Sequence, residues 1–275
     1  KIMKSEKLDL NQINPEIASS GNLGSLMTAM LNQPPKGSIM LDKNLLPSRG
    51  KLYPDIPLYI KKLTPLNAKD LAVITADNIN KIINKVIISS VWGGPNFNPS
   101  TIFTGDKLFL IFYIRSYTYN DMPFRLRGEC KECGNICNYD FTLSNLDIQY
   151  LDEDIPEYIE LGNGDKIKIA FSTIATENAV NQMKARQDIT IEINPELLEL
   201  ATYIKSVNDT ELSLFKAYEY ITQLDTMSFS EFANTISKYL FCVKPEAKFT
   251  CPKCGEEIYL PMPFVSSFFL PMITK

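Results

Sequence analysis

The residues most able to do chemistry are two cysteine pairs, Cys130-Lys131-Glu132-Cys133-Gly134 and Cys251-Pro252-Lys253-Cys254-Gly255. Each is a C-x-x-C followed at once by glycine. A tight turn of this kind aims two thiolates at one metal ion, and the glycine takes a backbone conformation that a Cβ disfavours. Two such knuckles supply the four sulfurs of a tetrahedral structural site. Cys130, Cys133, Cys251 and Cys254 are therefore the expected ligands of one Zn2+. The competing readings are two unrelated reduced turns, or a disulfide. More than a hundred residues part the two pairs, so a shared ion would tie the middle of the chain to its end. Cys137 follows the first turn closely enough to compete for the metal, but the second knuckle already completes a tetrahedral set. Cys242 reads as the end of an apolar helix and a small core residue.

The sequence contains no histidine. That removes the commonest general base, every Ser-His or Cys-His nucleophile arrangement, and any histidine-containing metal site. There is also no phosphate-cradling glycine loop, and the carboxylates between 152 and 160 read as a solvated face rather than an acid/base pair. The expectation is a protein that is not an enzyme and has no small-molecule substrate. Its formal net charge is −4, and four zinc-bound thiolates would make it more negative. Nucleic acid is then an unfavoured partner. The alternative, a zinc-ribbon module that binds nucleic acid or serves transcription, rests on Arg125, Arg127 and Lys131 alone. The longest apolar run, Leu108 to Ile114, is too short to cross a bilayer. No secretory pattern opens the sequence, so reduced thiols fit better than a disulfide framework.

The elements that must position these cysteines read as an α+β protein, with β-hairpins around a split four-cysteine zinc-ribbon-like site and a helical insert. Residues 1–37 read as an extended N-terminal arm with one short apolar run, 38–172 as an α+β domain with the first knuckle, 173–245 as a helical region, and 246–275 as the second knuckle and an apolar tail. Ile39 to Leu41 and Leu58 to Ile60 are short strands. Thr64-Pro65 starts a helix, with threonine as the cap and proline at the first helical position. Ile79, Ile82, Ile83, Val86 and Ile87 form a helical core stripe, ended by Gly93-Gly94-Pro95. Asp106 is expected to cap a buried helix from Lys107 to Ser116. Gly162-Asn163-Gly164-Asp165 turns Tyr158–Leu161 into a strand with Ile167, Ile169 and Phe171 alternating. Residues 173 to 187 read as helix, Ile189 to Ile193 as strand or linker, and Pro195 as a helix start. Asp209 is expected to cap a helix carrying Leu212, Phe215, Tyr218 and Ile221. Ser228 to Glu231 reads as the capping box of another, with Phe232, Ile236, Tyr239 and Leu240 on one side. The tail from Leu260 to Pro271 is apolar, and its three prolines argue against regular structure. It is expected to be a rigid anchor for other proteins, or else a cover for its own domain.

The run from Leu46 to Phe171 resembles the baseplate hub subunit and hub assembly proteins of T-even-like contractile-tailed phages. The features come in order: Leu46-Pro47-Ser48-Arg49-Gly50, paired helices, the buried run Lys107 to Ser116, Phe124-Arg125-Leu126 leading to Cys130-x-x-Cys133, an acidic stretch, and Ile167-Lys168-Ile169. The arm, the insert from 173 to 245 and the terminal knuckle fall outside it. The resemblance implies a structural or assembly role, with other phage tail and baseplate proteins as partners and no substrate. It also implies a place in the virion tail baseplate, or in the host cytoplasm during assembly.

Overall fold

The computed structural model describes residues 33–185, 193–262 and 264–270. The N-terminal apolar run and most of the expected strand at 189–193 lie outside the described residues. Strand β1 (Ile39–Leu41) pairs antiparallel with β2 (Leu58–Ile60), which pairs with β3 (Val91–Trp92). Leu41, Leu58, Ile60 and Val91 point into the core. Helix α1 (Pro65–Ala72) starts where expected. The Thr64 hydroxyl accepts the Asn67 N–H while the Asn67 side chain reaches back to the Thr64 N–H. Helix α2 (Ile79–Ser90) buries Ile82, Ile83, Val86 and Ile87. It ends at Ser90, before the glycines, because the chain turns at once into β3.

Helix α3 (Lys107–Tyr119) is the apolar run, and it forms the spine of the first core. Asp106 does not cap it. Its carboxylate is buried and accepts instead from the Ser48 N–H at 2.9 Å and the Tyr53 hydroxyl at 2.9 Å. The contact ties the proline-rich loop at 46–54 to the helix start. Next come the hairpin of β4 (Phe124–Glu129) and β5 (Ile136–Phe141), and then β6 (Leu146–Gln149).

A second core follows. The expected hairpin is β7 (Ile159–Glu160) and β8 (Lys166–Ile169), turned by Gly164 at φ +88°. Helices α4 (Ile174–Lys184) and α5 (Pro195–Ala201) start on Thr173 and Asn194 caps. Strands β9 (Ile204–Val207) and β10 (Thr210–Glu211) extend the sheet to the order β10-β9-β8-β7. Asp209 is therefore not a helix cap. With Asn208 at φ +47° and Asp209 at φ +65°, the two residues form the tight turn between β9 and β10, where Val207 faces Thr210. Ser213 caps the helix that follows, α6 (Leu214–Gln223), and Leu212 lies before it. Ser228 does not open a capping box either. Helix α7 (Thr226–Ser237) begins three residues earlier than that, and Asp225 accepts the N–H groups of Met227 and Ser228. Glu231 instead accepts the Gly162 N–H at 2.8 Å, and Tyr239 and Leu240 lie past the helix end.

The chain then returns to the first core. Strand β11 (Cys242–Thr250) pairs with β6 on one side and with β12 (Glu257–Pro261) on the other. Cys242 opens this strand rather than ending a helix, opposite Gln149. The tail forms one short turn of helix despite its prolines, α8 (Ser266–Phe269). Phe268 and Phe269 are both 0% exposed. Phe268 meets the rings of Phe112 and Phe124 at 5.4 and 4.9 Å, and its carbonyl accepts from Arg115 Nε at 2.7 Å. The tail thus covers its own core, because Phe268 fills the space left between α3 and the first hairpin, with Phe269 buried beside it. The two cores meet where the buried Lys107 ammonium donates to Glu177 of α4 at 2.6 Å.

Candidate metal centre

Both cysteine pairs sit at the tips of hairpins, and the two tips are built alike. In the first, the Cys130 N–H donates to the Asn135 carbonyl at 2.9 Å and the Gly134 N–H to the Cys130 carbonyl at 2.8 Å. In the second, the Cys251 N–H donates to the Glu256 carbonyl at 2.8 Å and the Gly255 N–H to the Cys251 carbonyl at 2.9 Å. Gly134 and Gly255 have φ of +66° and +79°. An added Cβ would meet nothing within 4 Å at either position, so glycine is required by conformation and not by space.

The first hairpin packs hard on the second. A Cβ at Gly128 would lie 2.4 Å from Leu260, the Tyr139 and Phe249 rings are 5.0 Å apart, and Asn145 Nδ2 donates to the Lys248 carbonyl at 3.2 Å. That packing brings together four sulfurs distant in sequence. Sγ of Cys130, Cys133, Cys251 and Cys254 all lie within 4.8 Å of one another. Cys130–Cys254 and Cys133–Cys251 are each 3.7 Å apart. A zinc–sulfur distance of about 2.3 Å in a tetrahedron gives sulfur–sulfur edges of roughly 3.8 Å. The cluster therefore has the size that a tetrahedral thiolate site needs. All six cysteines are free thiols, which sets aside the disulfide reading.

The electrostatics of the cluster also favour a cation. N–H groups of Cys254 and Lys253 aimed at the Cys251 sulfur lower its pKa to about 6. Cys254 has the Glu256 N–H pulling the same way, yet its sulfur neighbours, Cys133 before Cys251 and Cys130, drive it up to about 12. Four thiols this close cannot all ionise beside one another without a positive charge between them. Cys130 and Cys251 are buried, Cys133 is half-buried and Cys254 is exposed, so the cluster has an open side.

Cys137 stays outside the four. Its thiol is 3.5 Å from the Tyr139 hydroxyl, and the Asn135 side-chain amide donates to it at 3.2 Å and reaches the Cys251 sulfur at 4.0 Å. Asn135, which touches both Cys137 and Cys251, carries no signal in the sequence. The second knuckle has Glu256 at the matching position, so no repeated pattern marks it. At the base of the first hairpin Arg125 pairs with Asp140 at 3.4 Å, and beside the second knuckle Lys248 pairs with Glu257 at 2.6 Å.

Together, fold and site define a mixed helix-and-sheet protein whose small antiparallel sheets are joined at a four-cysteine cluster able to hold a metal. Residues 44–270 match the family model described as T4 bacteriophage base plate protein, and the chain belongs to that family. The match takes in the helical insert and the terminal knuckle, both beyond the stretch from Leu46 to Phe171 that carried the resemblance. No curated protein and no solved structure matches the chain. Membership gives the protein a structural role in a phage baseplate, among other tail proteins and in the virion tail. No helix among the described residues is long and apolar enough to cross a membrane.

Proposed function

We propose that the protein is a non-enzymatic component of the contractile-tail baseplate hub, acting there or in its assembly pathway, and that a structural Zn2+ on Cys130, Cys133, Cys251 and Cys254 holds its two hairpins together. One observation carries the metal: two identical knuckle turns, from hairpins far apart in sequence, converge at the spacing of a thiolate tetrahedron. Family membership supports the baseplate role, and a chain without histidine offers little to catalysis. The ion would neutralise the charge of the clustered thiolates and link β4–β5 to β11–β12. Its binding free energy would be largely folding free energy. The protein would meet its partners in the host cytoplasm during assembly and take its place in the tail.

Metal analysis tests the site. One zinc per chain is expected in the wild type and in Cys137→Ser, with loss in Cys254→Ser. Full zinc in Cys254→Ser, or loss in Cys137→Ser with retention in Cys251→Ser, identifies a different set of sulfurs. Mass spectrometry of purified hubs and of hub assembly intermediates tests the role. Absence from both, with presence in an outer baseplate part, removes the hub assignment while leaving the metal site standing.

A further inference from the structure

The two knuckles share their backbone bonds but not the side chains that flank them. In each, the residue after the glycine gives its carbonyl to the N–H of the first cysteine and turns its own N–H toward the sulfur of the second. That residue is Asn135 in the first hairpin and Glu256 in the second. At matching positions further on, the first hairpin has Cys137 and Tyr139 where the second has Ile258 and Leu260. Asn135, Cys137 and Tyr139 are alternate residues entering β5, so they share one side of the strand. Glu256 is exposed, whereas Asn135 is half-buried.

The three side chains form a chain of hydrogen bonds. Asn135 Nδ2 donates to the Cys137 sulfur at 3.2 Å, and the Cys137 thiol donates to the Tyr139 hydroxyl at 3.5 Å. The Tyr139 ring is itself held 5.0 Å from that of Phe249 on the opposite hairpin. The amide therefore has a fixed place, and its nitrogen, which carries two hydrogens, also lies 4.0 Å from the Cys251 sulfur. Among the described residues this is the one side-chain N–H that reaches a sulfur of the cluster from the other hairpin. Cys251 is buried. A thiolate there has to draw its donors from the protein, and a charged sulfur holds an N–H more strongly than a neutral one.

We propose that Asn135 is a positioning residue of the four-sulfur centre: held by Cys137 and Tyr139, its amide donates across the junction of the two hairpins to the Cys251 sulfur and slows the release of the metal. This role rests on the zinc site proposed above, yet Asn135 itself holds no metal. It also gives Cys137 a use, as the neutral acceptor that keeps the amide aimed at the cluster. Asparagine at 135 is then a matter of chemistry and not of turn shape. Aspartate would suit a turn equally, but it would face two sulfurs with acceptors alone.

Competition with a chelator, in the full 275-residue chain loaded with zinc, measures the retention. Asn135→Ala and Asn135→Asp are expected to lose the ion roughly 10–100-fold more readily than wild type, while Glu256→Ala behaves as wild type. Cobalt in place of zinc gives a readout that a role in turn shape alone would not move. An N–H donated to a thiolate weakens the sulfur as a donor, so the sulfur-to-cobalt charge-transfer absorption of Asn135→Ala is expected at longer wavelength than that of wild type. Wild-type retention in both Asn135 variants, or an unchanged absorption in both, overturns the proposal. So does an equal loss in Glu256→Ala, which assigns the effect to the turn backbone. A wild-type chain that takes up neither zinc nor cobalt overturns the zinc site itself, and is told apart from failure of Asn135 alone, where wild type and variants hold the metal equally.

Discussion

Asp106 sits inside the molecule where the loop at 46–54 meets the start of α3, with Ser48 and Tyr53 as its partners. Burial is the largest influence on its carboxyl and raises the pKa to about 6, against the opposing pull of the Ser48 and Tyr53 hydrogen bonds. The unfolded value is near 3.8. A carboxyl raised on folding favours the folded state fully below the unfolded value, and that contribution is lost as pH rises through the folded one. Between pH 4 and 6, Asp106 therefore subtracts stability as pH rises, by up to about 1.4 kcal/mol per unit for one proton. Asp106→Asn should remove that slope. Denaturant midpoints for both proteins at several pH values in this window measure it, and parallel curves would show that the carboxyl titrates normally. The four cysteines were legible as candidates at this scale because C-x-x-C-Gly is a local pattern fixed by a local turn. The role of Asp106 was not, since its partners lie more than fifty residues away.

Helix starts divide in the same way at the scale of elements. Thr64-Pro65 was readable because cap, proline and returning side chain all fall within four residues. Near Ser228, two polar residues competed for one helix end, and Asp225 holds it, accepting two N–H groups with one carboxylate oxygen and the Ser228 hydroxyl with the other. Its charge also suits the positive end of the helix dipole. Asp225→Ala should lower stability by about 1 kcal/mol, whereas Glu231→Ala should spare the helix and lose only the bond to Gly162. Chemical denaturation of both variants separates the two roles. Reversal of that order would restore Ser228 as the cap. Asn208-Asp209 shows the same ambiguity between cap and turn. Asparagine and aspartate suit either, and only the pairing of β9 with β10 decides it.

For the whole molecule, an α+β architecture with hairpins at the cysteines could be read from periodicity and turn residues. What could not be read is the destination of the tail. Its composition suits a docking ribbon and a core cover equally, and the choice depends on the space between α3 and the first hairpin. Phe268 fills that space and gives its carbonyl to Arg115. Phe268→Ala should cost about 3–5 kcal/mol, and its thermal midpoint should fall well below that of a substitution at the exposed Val265. A wild-type midpoint would return the tail to the role of a dispensable anchor.

The return of the chain from the second core to the first has a consequence for how the protein is made. Cys254 follows Cys130 by 124 residues. At roughly 5–20 residues per second, the ribosome takes on the order of 6–25 s to cover that interval. For that time the first hairpin waits with two thiols and an uncovered apolar flank, while the second core, whose contacts are all nearer in sequence, can already be finished. A chain released before Cys251 lacks β12, α8 and half the cluster, so it cannot close the first core. Closure of the four-sulfur site thus waits for the second hairpin, and a copy without that hairpin cannot offer a baseplate its finished surface.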